Sequence, residues 1–230
     1  PEQITLRQGA LIEPLAVAIH DVRMADLDPT DVITIVGAGP IGLLIGIVCV
    51  SRGHKTFITD IDQTRLDVAK SHGMIPVAPD QVEAAAREAT NGLGTDVVFE
   101  VSGSAGGATL ISTIVKPRGK IIVVGIHAEL RQFNLQQIFH KEVTMQGARV
   151  YKSIDFDDAI AFLATRTNEL EPSTRRDWQY AVSPQLIQPN DLGWSRWVDF
   201  SKPGLQVRIP AENIRVERNI VAVVAHTILP

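Results

Sequence analysis

Three glycines, Gly37, Gly39 and Gly42, stand in the spacing G-x-G-x-x-G within "TIVGAGPIGLLIG", and Asp60 follows 21 residues after Gly39. Placed between an apolar β-branched run and a helical run, such glycines can hold a diphosphate. The first permits a tight turn, the second lets backbone approach the phosphates, and the third lets the helix pack close to the strand. The free N–H groups and dipole of the helix N-terminus favour the negative charge. Pro40 suits the first helical position, where its missing N–H sacrifices no bond, and Ile41 completes that turn. Asp60 ends the next apolar run, placed to accept hydrogen bonds from a ribose diol. The reading is dinucleotide binding, with a turn shaped only for packing as its alternative. A carboxylate at position 60 would repel a 2′-phosphate, and no arginine stands immediately beside it, so NAD is favoured over NADP. Arg65 either stacks near an adenine or is a solvated helix residue.

Two further turns belong to the same crevice, because ligands on open parallel sheets lie beyond the carboxyl ends of the strands. They are "VSGSAGG" (Val101 to Gly107) and "VGIHA" (Val124 to Ala128). Val101, Ser102, Val124, Gly125 and Ile126 are the candidates for a nicotinamide end, against the alternative that turn chemistry alone shapes these loops. His127 is the histidine best placed to face a cofactor. His20, His54, His72, His140 and His226 show no paired metal-ligand spacing and read as surface or capping residues. Ser102 and Ser104 lack a G-x-S-x-G elbow. No catalytic residue is assigned.

The elements that must position these residues follow a simple rhythm. From Asp31 to about Gly147, "VITIV", "KTFIT", "IPVA", "TDVVFEV" and "KIIVVG" alternate with helical segments starting at Pro40, Gln63, Gln81 and Ala105, and "VTMQGA" reads as a sixth strand. Such alternation predicts an α/β fold, a doubly wound (Rossmann) parallel six-stranded sheet whose strands are apolar because both faces are covered. Gly9 to His20 is predicted as a helix packed on the sheet, and Asp155 to Ala164 as a closing helix with Asp155 as its N-cap. Residues 1–30 form a helical lead-in, 31–166 the dinucleotide-binding domain, and 167–230 an atypical C-terminal segment rich in strands and loops. That segment holds all three tryptophans and six of the thirteen prolines.

The 230 residues are 45% hydrophobic and 21% charged, enough for a sizeable core without cross-links. A net charge of -4 and the lack of a basic block argue against a nucleic-acid partner. The apolar run Ile41 to Val50 is half of what a membrane span needs, so no membrane partner is expected. Cys49 is the single cysteine, which excludes an intrachain disulfide and suggests a reducing, cytoplasmic setting. Within an apolar helix it reads as a small core residue.

The segments "GALIEPLAVAIH", "VGAGPIGLL", "ITDIDQTRLDVAKSHG", "TDVVFEVSGS", "GKIIVVG" and "GARVYKSIDFDDAIAFLA", in that order, resemble the medium-chain dehydrogenases. Within them the resemblance is to the zinc-dependent alcohol and polyol branch, of the sorbitol, butanediol and threonine type, and it covers roughly residues 1 to 165. It implies an oxidoreductase transferring hydride between a secondary alcohol or diol and NAD, with a zinc ion polarising the substrate oxygen. Glu13, in "IEP", matches a position that in this branch lies at or near that zinc; the other reading is a helix-end carboxylate held by packing or water. The family's remaining zinc ligands belong to a region ahead of the segment that residue 1 matches, so this chain corresponds to the cofactor-binding part. Family members also associate through the sixth strand, which implies a homo-oligomer through "VTMQGA". The alternative from another class is a non-catalytic dinucleotide-sensing module. Beyond Ala164 the resemblance lapses: "VRIPAENI" and "VVAHTILP" echo family segments out of order, and Trp194 and Trp197 read as core or as partner anchors.

Overall fold

The computed structural model describes residues 1–167, 170, 214–217 and 220–223. The chain divides into two units, Pro1–Ser183 and Pro184–Pro230. Of the second unit, an antiparallel pair is described, Ile214–Glu217 with Ile220–Val223. The expectations for Trp194 and Trp197 lie outside the described residues.

The first unit opens with α1 (Leu6–Gly9) and α2 (Ile12–Ala25). Strand and helix then alternate through β1 (Ile33–Val36), α3 (Pro40–Ser51), β2 (Thr56–Thr59), α4 (Gln63–Ser71), β3 (Ile75–Val77), α5 (Val82–Glu88), β4 (Thr95–Glu100), α6 (Ala105–Ile114), β5 (Val115–Val123), α7 (Leu135–Lys141), β6 (Thr144–Gly147) and α8 (Ser153–Ala164). The six strands form one sheet in the order β3-β2-β1-β4-β5-β6, and every pairing is parallel. The doubly wound arrangement expected from the sequence is thus observed.

Burial explains the unbroken apolar strands. Val97 and Phe99 of β4 join a core with α2, α3 and α8, while Val98 joins a second core with Val82 of α5 and Ile111 and Ile114 of α6. Successive side chains point to opposite faces, and helices cover both, so apolar residues occupy both parities of the central strands. Full burial of a side chain such as Phe99 or Leu15 stabilises the fold by roughly 1.5–3 kcal/mol. Pro76 lies in β3 at the sheet edge, where a missing N–H is tolerated.

The lead-in helix runs further than Gly9 to His20, because Val22 and Ala25 continue its buried stripe. Two corrections concern its contacts. Asp155 is not the N-cap of α8; Lys152 is, and Asp155 sits three residues on, accepting from the Lys152 N–H at 2.8 Å. Its fully buried carboxylate also accepts from His20 Nδ1 at 2.9 Å and Arg23 Nε at 2.6 Å. Burial works to raise its pKa, but these hydrogen bonds outweigh it and leave the group below the usual aspartate range. His20 is therefore a buried partner rather than a surface residue, and His54 is likewise buried, with Nδ1 3.3 Å from the Asp31 carbonyl.

Two lysines cap helix C-termini, where carbonyls lack intrahelical partners. Lys120 Nζ donates to the Ala25 and Asp26 carbonyls, both at 2.8 Å. Lys141 Nζ donates to the carbonyls of Ser112 at 2.7 Å, Thr113 at 3.1 Å and Val115 at 2.8 Å, with burial lowering its pKa. Lys141→Met keeps the aliphatic stem but leaves three carbonyls without that donor. A loss of about 1–3 kcal/mol in urea unfolding is expected, and an unchanged midpoint would show that water replaces the ammonium.

Candidate functional site

The strand order reverses between β1 and β4, and the crevice beyond their carboxyl ends is where open α/β sheets bind ligands. The glycine turn, Asp60 and the loops after β4 and β5 all converge there. Gly37 ends β1 at φ 110°, a conformation that disfavours any side chain, and its N–H donates to the Thr59 carbonyl at 2.8 Å. A Cβ at Gly37 would also press against the Ser102 backbone nitrogen. At Gly42 a Cβ would overlap the Gly37 carbonyl oxygen, so the glycine is what lets α3 lie on the strand.

Gly39 is different. Its φ of -70° suits any residue, and a Cβ there would meet nothing within 4 Å. Nothing in the protein's own packing requires glycine at this position; the residue keeps open a space at the start of α3. No side chain caps that helix start, and Pro40 occupies its first turn, whereas α4, α6 and α7 are capped by Asp62, Ser104 and Asn134. Ile41 is half-buried behind Pro40 and packs against the main core. An open cradle beside uncapped N–H groups fits a phosphate-bearing ligand.

Asp60 is fixed over the same turn. Its Oδ2 accepts from the Ala38 N–H at 2.7 Å and its Oδ1 from the Asp62 N–H at 3.0 Å, leaving each oxygen a further lone pair. The structure corrects the expectation that no arginine stands beside it: Arg65 Nη1 lies 3.8 Å from Asp60 Oδ2, and Nε lies 3.7 Å from Asp62 Oδ2. One turn of α4 accomplishes what sequence adjacency does not. Ile61, a residue the motif did not single out, is 95% exposed next to Asp60.

The loops after β4 and β5 meet at a residue that sequence reasoning missed. Glu100 is the last residue of β4 and fully buried. Its Oε1 accepts from the Ser102 N–H at 3.1 Å, the Ser102 hydroxyl at 2.6 Å and the Gly103 N–H at 3.1 Å. His127 Nε2 lies 2.9 Å from Oε2. The Glu100 backbone carbonyl accepts from the N–H groups of Val124 and Gly125, each at 2.8 Å. The Ser102 hydroxyl is thus committed to Glu100 and, at 2.9 Å, to Ser104. Val101 is anchored by its N–H to the Val36 carbonyl at 2.9 Å, and Ile126 is 89% exposed. The sequence signal for Glu100 was a carboxylate ending an otherwise apolar buried strand, where an unpaired charge is costly.

A zinc site does not fit the described residues: no group of three or more His, Cys, Asp or Glu side chains able to hold a metal occurs among them. Glu13 lies in the first turn of α2, exposed as a residue, although local burial of its carboxyl raises its pKa. It adds charge repulsion to the Tyr151 phenol, whose pKa burial already raises. Cys49 is fully buried, and burial pushes its thiol up to about 12, which fits a core residue. No helix among the described residues is long and apolar enough to cross a membrane.

Comparison with known proteins agrees with this geometry. Residues 40–165, more than half of the chain, match the family model described as zinc-binding dehydrogenase. The chain is similar to the 2-dehydro-3-deoxy-L-galactonate 5-dehydrogenase of Pseudoalteromonas atlantica, 39% identical over 75% of this chain and 51% of that protein. It is also similar to the sorbitol dehydrogenase of Halalkalibacterium halodurans, 33% identical over 80% of this chain and 54% of the relative. Among solved structures, the 2R,3R-butanediol dehydrogenase of Bacillus subtilis superposes with a TM-score of 0.67 at 30% identity, covering 72% of this chain and 48% of that one. The chain spans about half the length of these relatives. With the strand order, the glycine turn and the matched span in agreement, this chain belongs to the zinc-binding dehydrogenase family.

Proposed function

We propose that this chain is the cofactor-binding part of an NAD-dependent alcohol or polyol dehydrogenase, in which hydride passes between a secondary alcohol or diol and NAD. The observation that carries the reading is the open space at Gly39, which the fold leaves unfilled beside uncapped N–H groups. Gly37, Gly39, Pro40, Ile41 and Gly42 hold the diphosphate. Asp60 accepts from the adenosine ribose, and Ile61 and Arg65 flank the adenine. Val101, Ser102, Val124, Gly125 and Ile126 line the nicotinamide end. When bound, NAD supplies the hydride-accepting ring; the residues here bind it and fix its orientation. No step is assigned to zinc, for which the described residues offer no ligand set, and Glu13 remains the one candidate for a place near it.

Asp60 also sets the choice of cofactor, because its carboxylate opposes a 2′-phosphate even with Arg65 nearby. Asp60→Ala is expected to weaken NADH binding at least tenfold in a fluorescence titration while NADPH binding weakens less or improves. Equal NADH affinity in the variant would remove Asp60 from the site.

The lack of a metal-ligand group among the described residues favours a second reading, a dinucleotide-sensing module without turnover. Metal analysis joined to the NADH titration and a diol-oxidation assay bears on the two: NADH binding with zinc and turnover excludes the module, and NADH binding with neither fits a cofactor-binding part as well as it fits the module. Failure to bind NADH overturns both.

The edge strand β6, exposed along its whole length, and the preceding helix α7, with Leu135 and Phe139 exposed, support pairing with a second copy of this chain. A sedimentation experiment showing a monomer at high concentration would exclude it. The buried reduced cysteine and the absence of a long apolar helix among the described residues support a cytoplasmic setting.

A further inference from the structure

We infer that Glu100 is a positioning residue for the nicotinamide half of the cofactor, acting through His127 and the two loops that it ties together. The inference rests on the dinucleotide reading above and adds a role that the glycine motif does not contain. A fully buried carboxylate is costly unless it is paired and hydrogen-bonded. Glu100 meets that cost with four donors drawn from two loops: the Ser102 N–H and hydroxyl and the Gly103 N–H after β4, and His127 Nε2 after β5.

The surrounding glycines make room for this carboxylate. A Cβ at Gly125 would collide with Glu100 Oε2 and the Gly103 nitrogen, one at Gly107 with the Ser102 hydroxyl and Glu100 Oε1, and one at Gly103 with the Ile126 carbonyl. Gly107, in the first turn of α6, and Gly125 thus leave room for the acid, while Gly103 and Gly125 let the two loops approach each other. The loops they belong to carry the candidate nicotinamide residues Val101, Ser102, Val124, Gly125 and Ile126.

The carboxylate also sets the state of the imidazole. An ionised Glu100 can only accept, so His127 Nε2 must carry the proton and donate. In the neutral ring Nδ1 is then a bare acceptor, and it is buried with no hydrogen-bond partner in the structure. An unfilled buried acceptor is unfavourable. A ligand donor supplies the missing bond, and the nicotinamide half of the cofactor carries such donors in its amide and ribose hydroxyls. Glu100→Gln reverses this arrangement: the amide N–H₂ facing His127 forces the proton onto Nδ1, turning the free acceptor into a donor.

The test compares NADH with ADP-ribose, which lacks the nicotinamide, in calorimetric titrations of the full chain. Glu100→Gln is expected to weaken NADH at least tenfold while ADP-ribose changes less than twofold. His127→Ala, which disturbs a half-buried residue and leaves Glu100 with its loop donors, is expected to show the same selectivity to a smaller degree and guards against misfolding of the first variant. Selective loss for NADH is not what general destabilisation produces, since the adenosine end reports on the integrity of the fold. Equal weakening of both ligands, or unchanged NADH affinity in both variants, overturns the role of Glu100. Absence of ADP-ribose binding to the unsubstituted chain overturns the dinucleotide reading itself, and this inference with it.

Discussion

Gly39→Ala is expected to fold almost as well as the unsubstituted protein and to lose NADH affinity by roughly 10- to 100-fold, whereas Gly42→Ala is expected to lose its fold. The two residues are three apart in one motif, yet different physics selects glycine at each. At Gly39 the backbone is unstrained and a Cβ enters open space, so the stability change stays within about 1 kcal/mol, the scale of an N-cap substitution. The methyl group then occupies the ground that a diphosphate must approach. At Gly42 a methyl group would overlap the Gly37 carbonyl oxygen, and α3 must lift from β1, at a cost of about 3 kcal/mol or more. Urea unfolding paired with an NADH titration reads both effects. If Gly39→Ala bound NADH normally, the space beside that residue would not be a phosphate site. If Gly42→Ala were as stable as the parent, the helix would not depend on that close contact.

Asp21→Asn should stabilise the protein, and the gain should depend on pH in a definite direction. Asp21 is fully buried in α2, and neither carboxylate oxygen has a hydrogen-bond partner. Burial first, and repulsion from Asp155 second, push its pKa from the ordinary 3.8 to about 7. The folded state therefore holds the proton more tightly than the unfolded state. Below pH about 4 both states are protonated and the group has no effect on stability. As the pH rises from 4 to 7 the unfolded chain ionises while the folded chain resists, and stability falls. Above 7 the loss is complete, on the order of 4 kcal/mol from a shift of this size. Asparagine has the same shape and no charge to bury. The gap in unfolding free energy between Asp21→Asn and the parent should widen from pH 5 to pH 8 and stay level thereafter. A gap independent of pH would mean that the carboxyl does not titrate with burial.

The pH effect at Asp21 and the ion pairs of Asp155 arise in one place, the packing of α2 against α8. His20 and Asp155 are 135 residues apart in the chain, so no local pattern joins them. Asp155 does carry a sequence signal, an acid near the start of an amphipathic helix, and that signal was misassigned by three positions. A carboxylate placed as N-cap and one at the third helical position both satisfy helix N–H groups, and only the packing of α2 shows which is used.

The candidate site divides in the same way. The placement of the glycine turn and of Asp60 was legible because it is encoded locally: a strand, a turn and a helix in immediate succession, then a carboxylate at the end of the next strand. The six parallel strands, β6 among them, followed from alternation, since short parallel crossovers leave few arrangements, whereas their order along the sheet came from the structure. Glu100 carried a signal only as an acid ending an apolar strand, and its partners were not legible. In "TDVVFEV" it looks like one more strand residue, and its partner His127 lies 27 residues away on another loop. Arg65 was legible as a residue but not as a neighbour of Asp60, because five residues of sequence become one turn of helix.

By itself, then, the sequence determined the alternation of strands and helices, the turn that opens α3 and the acid that faces it, because hydrophobic period and backbone conformation act over a few residues. The tertiary structure decided which glycine answers to packing and which to an empty space, where Arg65 reaches, and how Glu100 binds two loops into one wall. Those outcomes depend on the register of β4 between its neighbours, which brings separate strand ends to one height, and a linear pattern does not carry that register.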